Sequence, residues 1–189
     1  MRAGESLGIA NKDWEMAERA STWFVTRKYP PRVGGMERMS WELTSRMSQR
    51  RPIHVIALRS GSIWLPFFLA SSALSILAGA ITLRIEVLHL GDSLLAPLGS
   101  LAKMFDIPVC VTVHGRDVTY PNRLYRLWLW LFFRRLDAYI CVSMAARTAA
   151  LGAGAPVEKI SVIGNGVAPF TGPTLARDID RLLFVGRLV

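Results

Sequence analysis

The chain has 189 residues, of which 51% are hydrophobic and 20% are charged, so it can bury one domain-sized core and is not a disordered segment. Its net charge of +9 suggests an anionic partner, namely a phosphorylated metabolite, a nucleic acid or an acidic membrane surface. The positive charge is spread along the chain without an Arg/Lys block or an RNA-binding signature, which argues against nucleic acid as the partner.

Strand and helix signals alternate along the chain. Short apolar runs predict strands over 22–26, 53–58, 84–90, 109–115 and 137–143, with a sixth strand and a turn over 158–167. Helical patterns predict helices between them, over 36–47, 60–83, 97–105, 122–136 and 143–154. In the first helix, the expected apolar stripe consists of Met36, Ser40, Leu43 and Met47. This alternation predicts the α/β class, as a Rossmann-like open parallel sheet with helices on both faces.

The two ends of the chain are predicted to lie outside this domain, which covers residues 21–170. Residues 1–20 carry acidic side chains and no continuous apolar run, so they are not a secretory signal peptide and are interpreted as a leader. Residues 171–180 are rich in Pro, Gly and Thr and predict a linker. Residues 181–189 predict one further strand.

The helix over 60–83 contains no charged side chain and is long enough to cross a bilayer. It also holds Pro66 and several hydroxyl and small residues. It lies between two predicted strands, where a parallel sheet requires a crossover helix. We therefore predict that this helix is buried or lies against a membrane, and a membrane span is the alternative.

Cys110 and Cys141 lie inside two predicted strands, where cysteine commonly serves as a small buried hydrophobe. The sequence has no CxxC pair and no cluster with metal-ligand spacing. It therefore predicts no metal site and no cofactor, and a reducing, cytoplasmic compartment.

Distinctive residues follow the predicted strands, at the edge where open parallel sheets bind ligands. Gly34 and Gly35 lie between the first strand and the first helix. Their backbone could approach an anion at the helix N-terminus, or they could form a tight turn into a helix that has Glu37 in its first turn. Their spacing is not GxGxxG, which counts against a dinucleotide-binding enzyme.

His114 ends the fourth strand, in VTVHGRD, and Asp117 follows it. The imidazole could donate a hydrogen bond to a sugar hydroxyl or to developing charge, or it could only cap its own loop. Asn165 and Gly166 follow the sixth strand, and taken alone an Asn-Gly pair ordinarily signals a turn. The DxD pattern over 178–180 matches a metal motif but follows no apolar strand, so we discount it as a metal site.

The segments PPRVGGMER, HGRD, YICVS, EKISVIGNGV and LLFVGRLV, in this order and spacing, resemble the family-4 glycosyltransferases of the GT-B type. The resemblance runs over 22–189. It implies two Rossmann-like domains that face each other across a cleft, of which this chain would supply the N-terminal, acceptor-side domain and the first strand of the second. It also implies retaining, metal-independent hexosyl transfer from a nucleotide-diphosphate sugar to a lipid-linked or polysaccharide-precursor acceptor.

The same resemblance implies roles for individual residues. His114 would be catalytic and contact the transferred sugar. The residues expected to bind the donor diphosphate are Gly34, Gly35 and Arg187. The residues expected to line the substrate cleft are Asp117, Asn165 and Gly166. Glu37 matches the family's GGxE pattern, but we assign it to the helix start.

The lysine and the paired-glutamate motif that the resemblance implies after Arg187 are missing from the sequence. We therefore expect the chain by itself to be inactive. Two alternatives stay open: a non-catalytic truncated fragment, and a membrane-anchored binding module if residues 63–83 span a bilayer.

The helix over 122–136 sets Trp128 and Trp130 among arginines, a composition that suits an anionic membrane surface. The alternative is a core-facing helix with solvated arginines. The resemblance implies a peripheral location at the inner face of the plasma membrane.

Overall fold

The computed structural model describes residues 21–82, 84–166 and 172, and every structural statement below concerns this part of the chain. The strands are β1 (Ser21–Thr26), β2 (Ile53–Ala57), β3 (Ile85–Leu90), β4 (Val109–Val113), β5 (Ala138–Cys141) and β6 (Ile160–Val162). The α-helices are α1 (Gly35–Met47), α2 (Leu65–Ile81), α3 (Ala96–Lys103), α4 (Arg123–Phe132) and α5 (Met144–Gly152). Short 3-10 turns occur at Ser62–Trp64, Ser93–Leu95, Phe133–Arg135 and Val157–Lys159.

The six strands form one sheet in the order β2-β1-β3-β4-β5-β6, and every neighbouring pair is parallel. Val25 of β1 pairs with Ile56 on one side and with Leu90 on the other. The predicted open parallel α/β sheet is therefore confirmed. The strand order reverses direction between β1 and β3, and ligands of such sheets bind outside the carboxyl ends of the strands at this switch point.

Helices cover both faces of the sheet. Right-handed crossovers place α1 on one face and α2 to α5 on the other. In the larger layer, α2 contacts α3, and α3 contacts α4. The core lies between this layer and the sheet, where Leu88, Leu90 and Val111 have no exposed surface.

Helix α1 buries a polar face instead of the predicted apolar stripe. The buried side chains are Glu37, Ser40 and Thr44. The residues Met36, Leu43 and Met47 are only partly buried. The prediction was therefore wrong for all but Ser40. Burial of Thr44 is tolerated because its hydroxyl donates to the Ser40 carbonyl at 2.9 Å, so no unpaired polar group enters the core.

Helix α2 is the predicted crossover between β2 and β3. The segment Ser62–Ile81 is long and apolar enough to cross a bilayer by length and composition. One face of α2 nevertheless packs on the sheet, where Phe68, Ile76 and Gly79 are buried. A bilayer span would separate β2 from β3, although both strands pair with β1 in this sheet.

Helix α4 begins where the sequence predicts. The Asn122 side chain accepts a hydrogen bond from the Tyr125 peptide N–H at 3.1 Å, which caps the helix. Leu129 is the only side chain of α4 that is buried, although the following turn adds Phe133. Most of α4 therefore faces away from the core.

Candidate functional site

The carboxyl ends of β1, β3 and β4 bring three loops together at the switch point. Arg27, directly after β1, donates from Nε to both carboxylate oxygens of Asp92 at 3.1 and 3.0 Å. Asp92 follows β3 and Gly91. The His114 ring, directly after β4, lies with Nε2 3.2 Å from the Gly91 carbonyl oxygen. Hydrogen bonds thus join the loop after β3 to the loop after β1 and to the loop after β4.

Asp92 is a buried carboxylate whose charge is compensated locally. It has no exposed surface, and it also accepts from the Leu94 peptide N–H at 3.1 Å. A buried carboxylate without such partners would cost several kcal/mol. In the described residues, all side-chain hydrogen bonds of Arg27 use Nε. Its terminal Nη atoms are therefore available to donate to an anionic ligand.

Asp117 ties the loop after β4 to the loop after β3. One oxygen accepts from the His114 peptide N–H at 3.0 Å. The other accepts from the Ser93 peptide N–H at 3.2 Å and from the Ser93 hydroxyl at 2.8 Å. Gly115 adopts a φ of +91° within this turn, a conformation that glycine adopts without strain. These bonds fix where the His114 ring sits.

Among the described residues, the partly buried His114 ring has a hydrogen-bond partner at Nε2 and none at Nδ1. The Gly91 carbonyl can only accept, so its bond requires the proton on Nε2. In the neutral ring, Nδ1 then carries a lone pair that can accept from a ligand hydroxyl, and in the protonated ring Nδ1 can donate. The imidazole can therefore orient a polar ligand at this edge.

Gly34 and Gly35 lie at the start of α1 and are exposed. The Glu37 carboxylate folds back over this start, because a Cβ placed on Gly34 would lie 2.2 Å from Glu37 Oε2. Glu37 also pairs with Lys28 at 3.5 Å. The carboxylate is thus at the positive end of the helix, the position that the sequence assigns to it. A role for the two glycines in diphosphate binding stays a prediction.

The other predicted site residues do not lie at the switch point. Asn165 and Gly166 are exposed and follow β6, the outermost strand beyond β5. Four strand spacings separate β6 from β1, roughly 19 Å. Arg187 lies outside the described residues. The leader, the DxD pattern, the last predicted strand and all of the linker except Gly172 lie outside them as well.

An apolar groove opens beside the site, between α2 and α4, with a volume of about 640 Å³. We call it the α2–α4 groove. Its apolar lining comes from Leu65, Leu69, Leu94, Leu124, Tyr125 and Trp128. Arg27, Arg116 and Asp117 also line it, so the groove reaches the carboxyl edge of the sheet.

The Tyr125 hydroxyl in this groove donates to the backbone carbonyl of Asp117. Burial, together with the neighbouring Asp117 and Asp92 carboxylates, raises the pKa of Tyr125 well above its usual range. The hydroxyl is therefore a proton donor at all physiological pH values.

Sequence reasoning missed Arg27, Asp92 and Ser93. The signal was present, because Gly-Asp-Ser directly follows the third strand as His-Gly-Arg-Asp follows the fourth. The α2–α4 groove has no comparable signal, since it is lined by side chains from distant segments. Across 21–82 and 84–166, no group of three or more His, Cys, Asp or Glu side chains is arranged to hold a metal.

Comparisons with known proteins agree with this fold. The family model for Glycosyltransferase Family 4 matches residues 33–169. The chain is similar to Anabaena HepE in complex with UDP and glucose, with a TM-score of 0.57 and 16% identity over 78% of this chain and 45% of that one. HepE in complex with UDP-glucose gives a TM-score of 0.54 and 16% identity, over 77% and 44% of the two chains.

The chain thus spans less than half the length of these solved structures, and at this identity the likeness concerns the fold. No curated protein matches the chain. The family model covers most of the sequence, including the loops that carry Gly34 and His114. The chain therefore belongs to glycosyltransferase family 4.

Proposed function

We propose that the chain provides the acceptor-side domain of a glycosyltransferase, which moves a hexosyl group from a nucleotide-diphosphate sugar to an acceptor. The observation that carries the proposal is the position of His114 at the carboxyl edge of a family-4 domain, locked by Asp117 with Nδ1 available to a ligand. HepE, which shares the fold, was solved with UDP and with UDP-glucose, and this supports a nucleotide-diphosphate sugar as the donor.

In the proposed transfer, the bond from the anomeric carbon to the diphosphate oxygen breaks and a bond to the oxygen of an acceptor hydroxyl forms on the same face of the sugar. The nucleoside diphosphate leaves and takes up the proton of that hydroxyl. His114 contacts a hydroxyl of the transferred sugar. The residues assigned to the donor diphosphate are Gly34, Gly35 and Arg187, and the cationic Arg187 offsets the charge that develops on the leaving group. The residues assigned to the cleft wall are Asp117, Asn165 and Gly166. No metal takes part in this scheme.

The proposal assigns most donor contacts to a second domain, whose first strand is residues 181–189 after the linker at 171–180. We therefore expect the 189-residue chain alone to transfer no sugar from UDP-glucose or other nucleotide-diphosphate sugars. A radiolabelled-donor assay measures this directly. Sustained turnover by the chain alone would refute the assignment of most donor contacts to a second domain.

The role of His114 is tested in the protein extended to both domains. His114→Ala should lower kcat by more than tenfold, or more than about 1.4 kcal/mol of activation free energy, while leaving the thermal unfolding midpoint close to that of the parent. His54→Ala is the matched control, because His54 is an exposed histidine on the edge strand β2. Equal kinetics for the two variants would reject the assigned role.

A second proposal is that the protein binds peripherally to the cytoplasmic face of a membrane, where it reaches a lipid-linked acceptor. Large apolar side chains are exposed on the two helices that flank the α2–α4 groove, including Phe67 on α2 and Leu127 and Trp130 on α4. The Arg134 guanidinium lies 5.8 Å from the centre of the Trp130 ring, a pairing suited to an interface with anionic headgroups. Both cysteines are free, which is compatible with a reducing compartment. Carbonate extraction should release the protein, whereas a spanning protein would be retained.

A further inference from the structure

We infer that the α2–α4 groove is the acceptor site and that its ligand is an amphiphile with a phosphate-bearing headgroup and an extended hydrocarbon chain. The inference rests on the proposed function, because it names the chemical class of the acceptor. It is carried by three features of the groove: its apolar walls, its cationic end and its connection to His114.

The walls of the groove suit a hydrocarbon chain. Its volume of about 640 Å³ falls within the range of small-molecule sites. Three aromatic residues line the groove, and two of them have their polar atoms already used. The Trp128 indole N–H donates to the Leu94 carbonyl at 3.0 Å, and the Tyr125 hydroxyl donates to the Asp117 carbonyl. The third, Tyr120, is exposed at the groove opening. The rings therefore offer their apolar surfaces. A sugar chain lying here would leave many of its hydroxyls unpaired, which costs free energy.

One end of the groove is cationic. Arg27 lines it with its Nη atoms available, and Arg116 lines it without an ion pair to any residue that the structure describes. Asp117 also lines this end, but both of its oxygens accept hydrogen bonds from Ser93 and His114. Asp92 compensates the charge of Arg27, so Arg116 supplies the positive charge that has no ion pair in the described residues, while both guanidinium groups offer donors in the geometry of a phosphate.

A second, smaller hollow extends this cationic end. It shares Arg27 and Leu65 with the groove, and it adds Lys28, Arg32 and Ser62. Lys28 is partly compensated by Glu37 at 3.5 Å. This hollow has a volume of only about 20 Å³, so its role is to place the side chains of Lys28, Arg32 and Ser62 next to the groove. Charge and hydrophobicity are therefore separated along one continuous surface, as in an amphiphile.

The cationic end leads to the proposed reaction centre. Arg27 is bonded to Asp92, and the neighbouring Gly91 carbonyl holds the His114 ring. A headgroup bound at Arg27 would lie at the carboxyl edge of the sheet, with its chain running out between α2 and α4. This is the orientation that a lipid-linked acceptor requires, because its reactive end must meet the donor sugar.

Binding is tested by calorimetric titration of the 189-residue chain with three probes: geranyl phosphate, geraniol and inorganic phosphate. We expect geranyl phosphate to bind at least tenfold more tightly than either of the other two, because only this probe fills both parts of the site. An equal affinity for inorganic phosphate would indicate a plain anion site and overturn the hydrocarbon part. An equal affinity for geraniol would overturn the headgroup part, and no binding of geranyl phosphate would overturn the whole inference.

Matched variants locate the site. Leu124 and Leu127 both lie on α4 and are 78% and 51% exposed, but of the two only Leu124 lines the groove. We expect Leu124→Gln and Arg116→Gln each to weaken geranyl phosphate binding at least fivefold. Leu127→Gln and Arg126→Gln, at exposed positions outside the groove lining, should change it less than twofold. Equal losses in the test and control variants would place the ligand elsewhere and refute the assignment.

The titration does not depend on a donor or on turnover. Tight binding of geranyl phosphate without sugar transfer by the extended protein would refute the proposed enzyme and leave the amphiphile site standing. Transfer without binding of geranyl phosphate would refute the acceptor class and leave the enzyme standing.

Discussion

The residues at the sheet edge show how two carboxylates in similar sequence positions take different roles. Asp92 is buried and compensates Arg27, whereas Asp117 is partly buried and joins two loops through Ser93 and His114. Each carboxylate already accepts several hydrogen bonds from the loops around it. They are better described as positioning residues.

His89 provides a test of pH dependence at a single residue. It is buried in the sheet, with Nε2 2.8 Å from the Thr112 hydroxyl, and burial lowers its pKa to about 4. Between pH 6.5 and 4 the unfolded chain binds a proton that the folded chain does not. The free energy of unfolding should therefore fall as the pH falls through this window, by up to about 3 kcal/mol.

Urea unfolding at pH 7, 5.5 and 4.5 measures this dependence. His89→Gln keeps a hydrogen-bonding side chain but cannot titrate, so its free energy of unfolding should change less over the same range. Parallel curves for the two proteins would show that His89 does not supply the proton linkage.

At the scale of the secondary-structure elements, Gly79 is a position where helix α2 packs tightly against the sheet. A Cβ at this position would lie 2.7 Å from the Trp23 ring and 2.9 Å from the Ile85 side chain. Gly79→Val should therefore destabilise the fold by about 2 kcal/mol or more, because the helix must move away from the sheet. Thermal or urea unfolding measures the loss. Ala78→Val, at the exposed neighbouring position, should cost less than about 1 kcal/mol, and similar losses for both variants would contradict the close approach.

The positions of the helices and strands could be predicted from the sequence, but the buried face of α1 could not. The Asn122 cap predicted the start of α4, and the apolar runs predicted the strands to within a few residues. The face of α1 was mispredicted because the stripe rule assumes an apolar neighbour. In the structure, Tyr29 meets the Thr44 hydroxyl at 2.9 Å and Lys28 meets Glu37, so polar partners from an adjacent loop decide which face is covered.

At the scale of the whole molecule, the sequence predicts a parallel sheet but not the order of its strands. The switch point between β1 and β3 depends on that order, and it joins residues such as Arg27 and Asp92 that are 65 positions apart. His114 and Asp117 could be found because they lie in one short motif. The groove could not be predicted, because Leu65, Leu94 and Leu124 are far apart in the sequence and come together only in the folded protein.

The net charge of +9 and the exposed apolar side chains together predict how the whole chain meets a membrane. In flotation assays the chain should bind vesicles that contain anionic phospholipid at low salt. It should be released as sodium chloride approaches about 0.5 M, because the screening length shortens. No binding at low salt would refute peripheral association.

Two variants separate the proposed face from the rest of the surface. Ile63 and Val157 are aliphatic residues in 3-10 turns and are 86% and 56% exposed, but only Ile63 lies beside the start of α2. Ile63→Glu should reduce vesicle binding severalfold, and Val157→Glu should leave it unchanged. Equal reductions would indicate that net charge, and not this face, governs the attraction.

Helix α4 is fastened at two points to the segments that carry the proposed chemistry: Trp128 is bonded to Leu94, and Tyr125 is bonded to Asp117. Leu94 is the residue after Ser93, and the Asp117 carboxylate accepts hydrogen bonds from Ser93 and from the His114 peptide N–H. A ligand that tilts α4 would therefore displace Asp117 and Leu94, and with them the loop that holds the His114 ring. In the proposed acceptor complex, the shape of the hydrocarbon chain in the groove would therefore affect the alignment of the headgroup with the His114 ring.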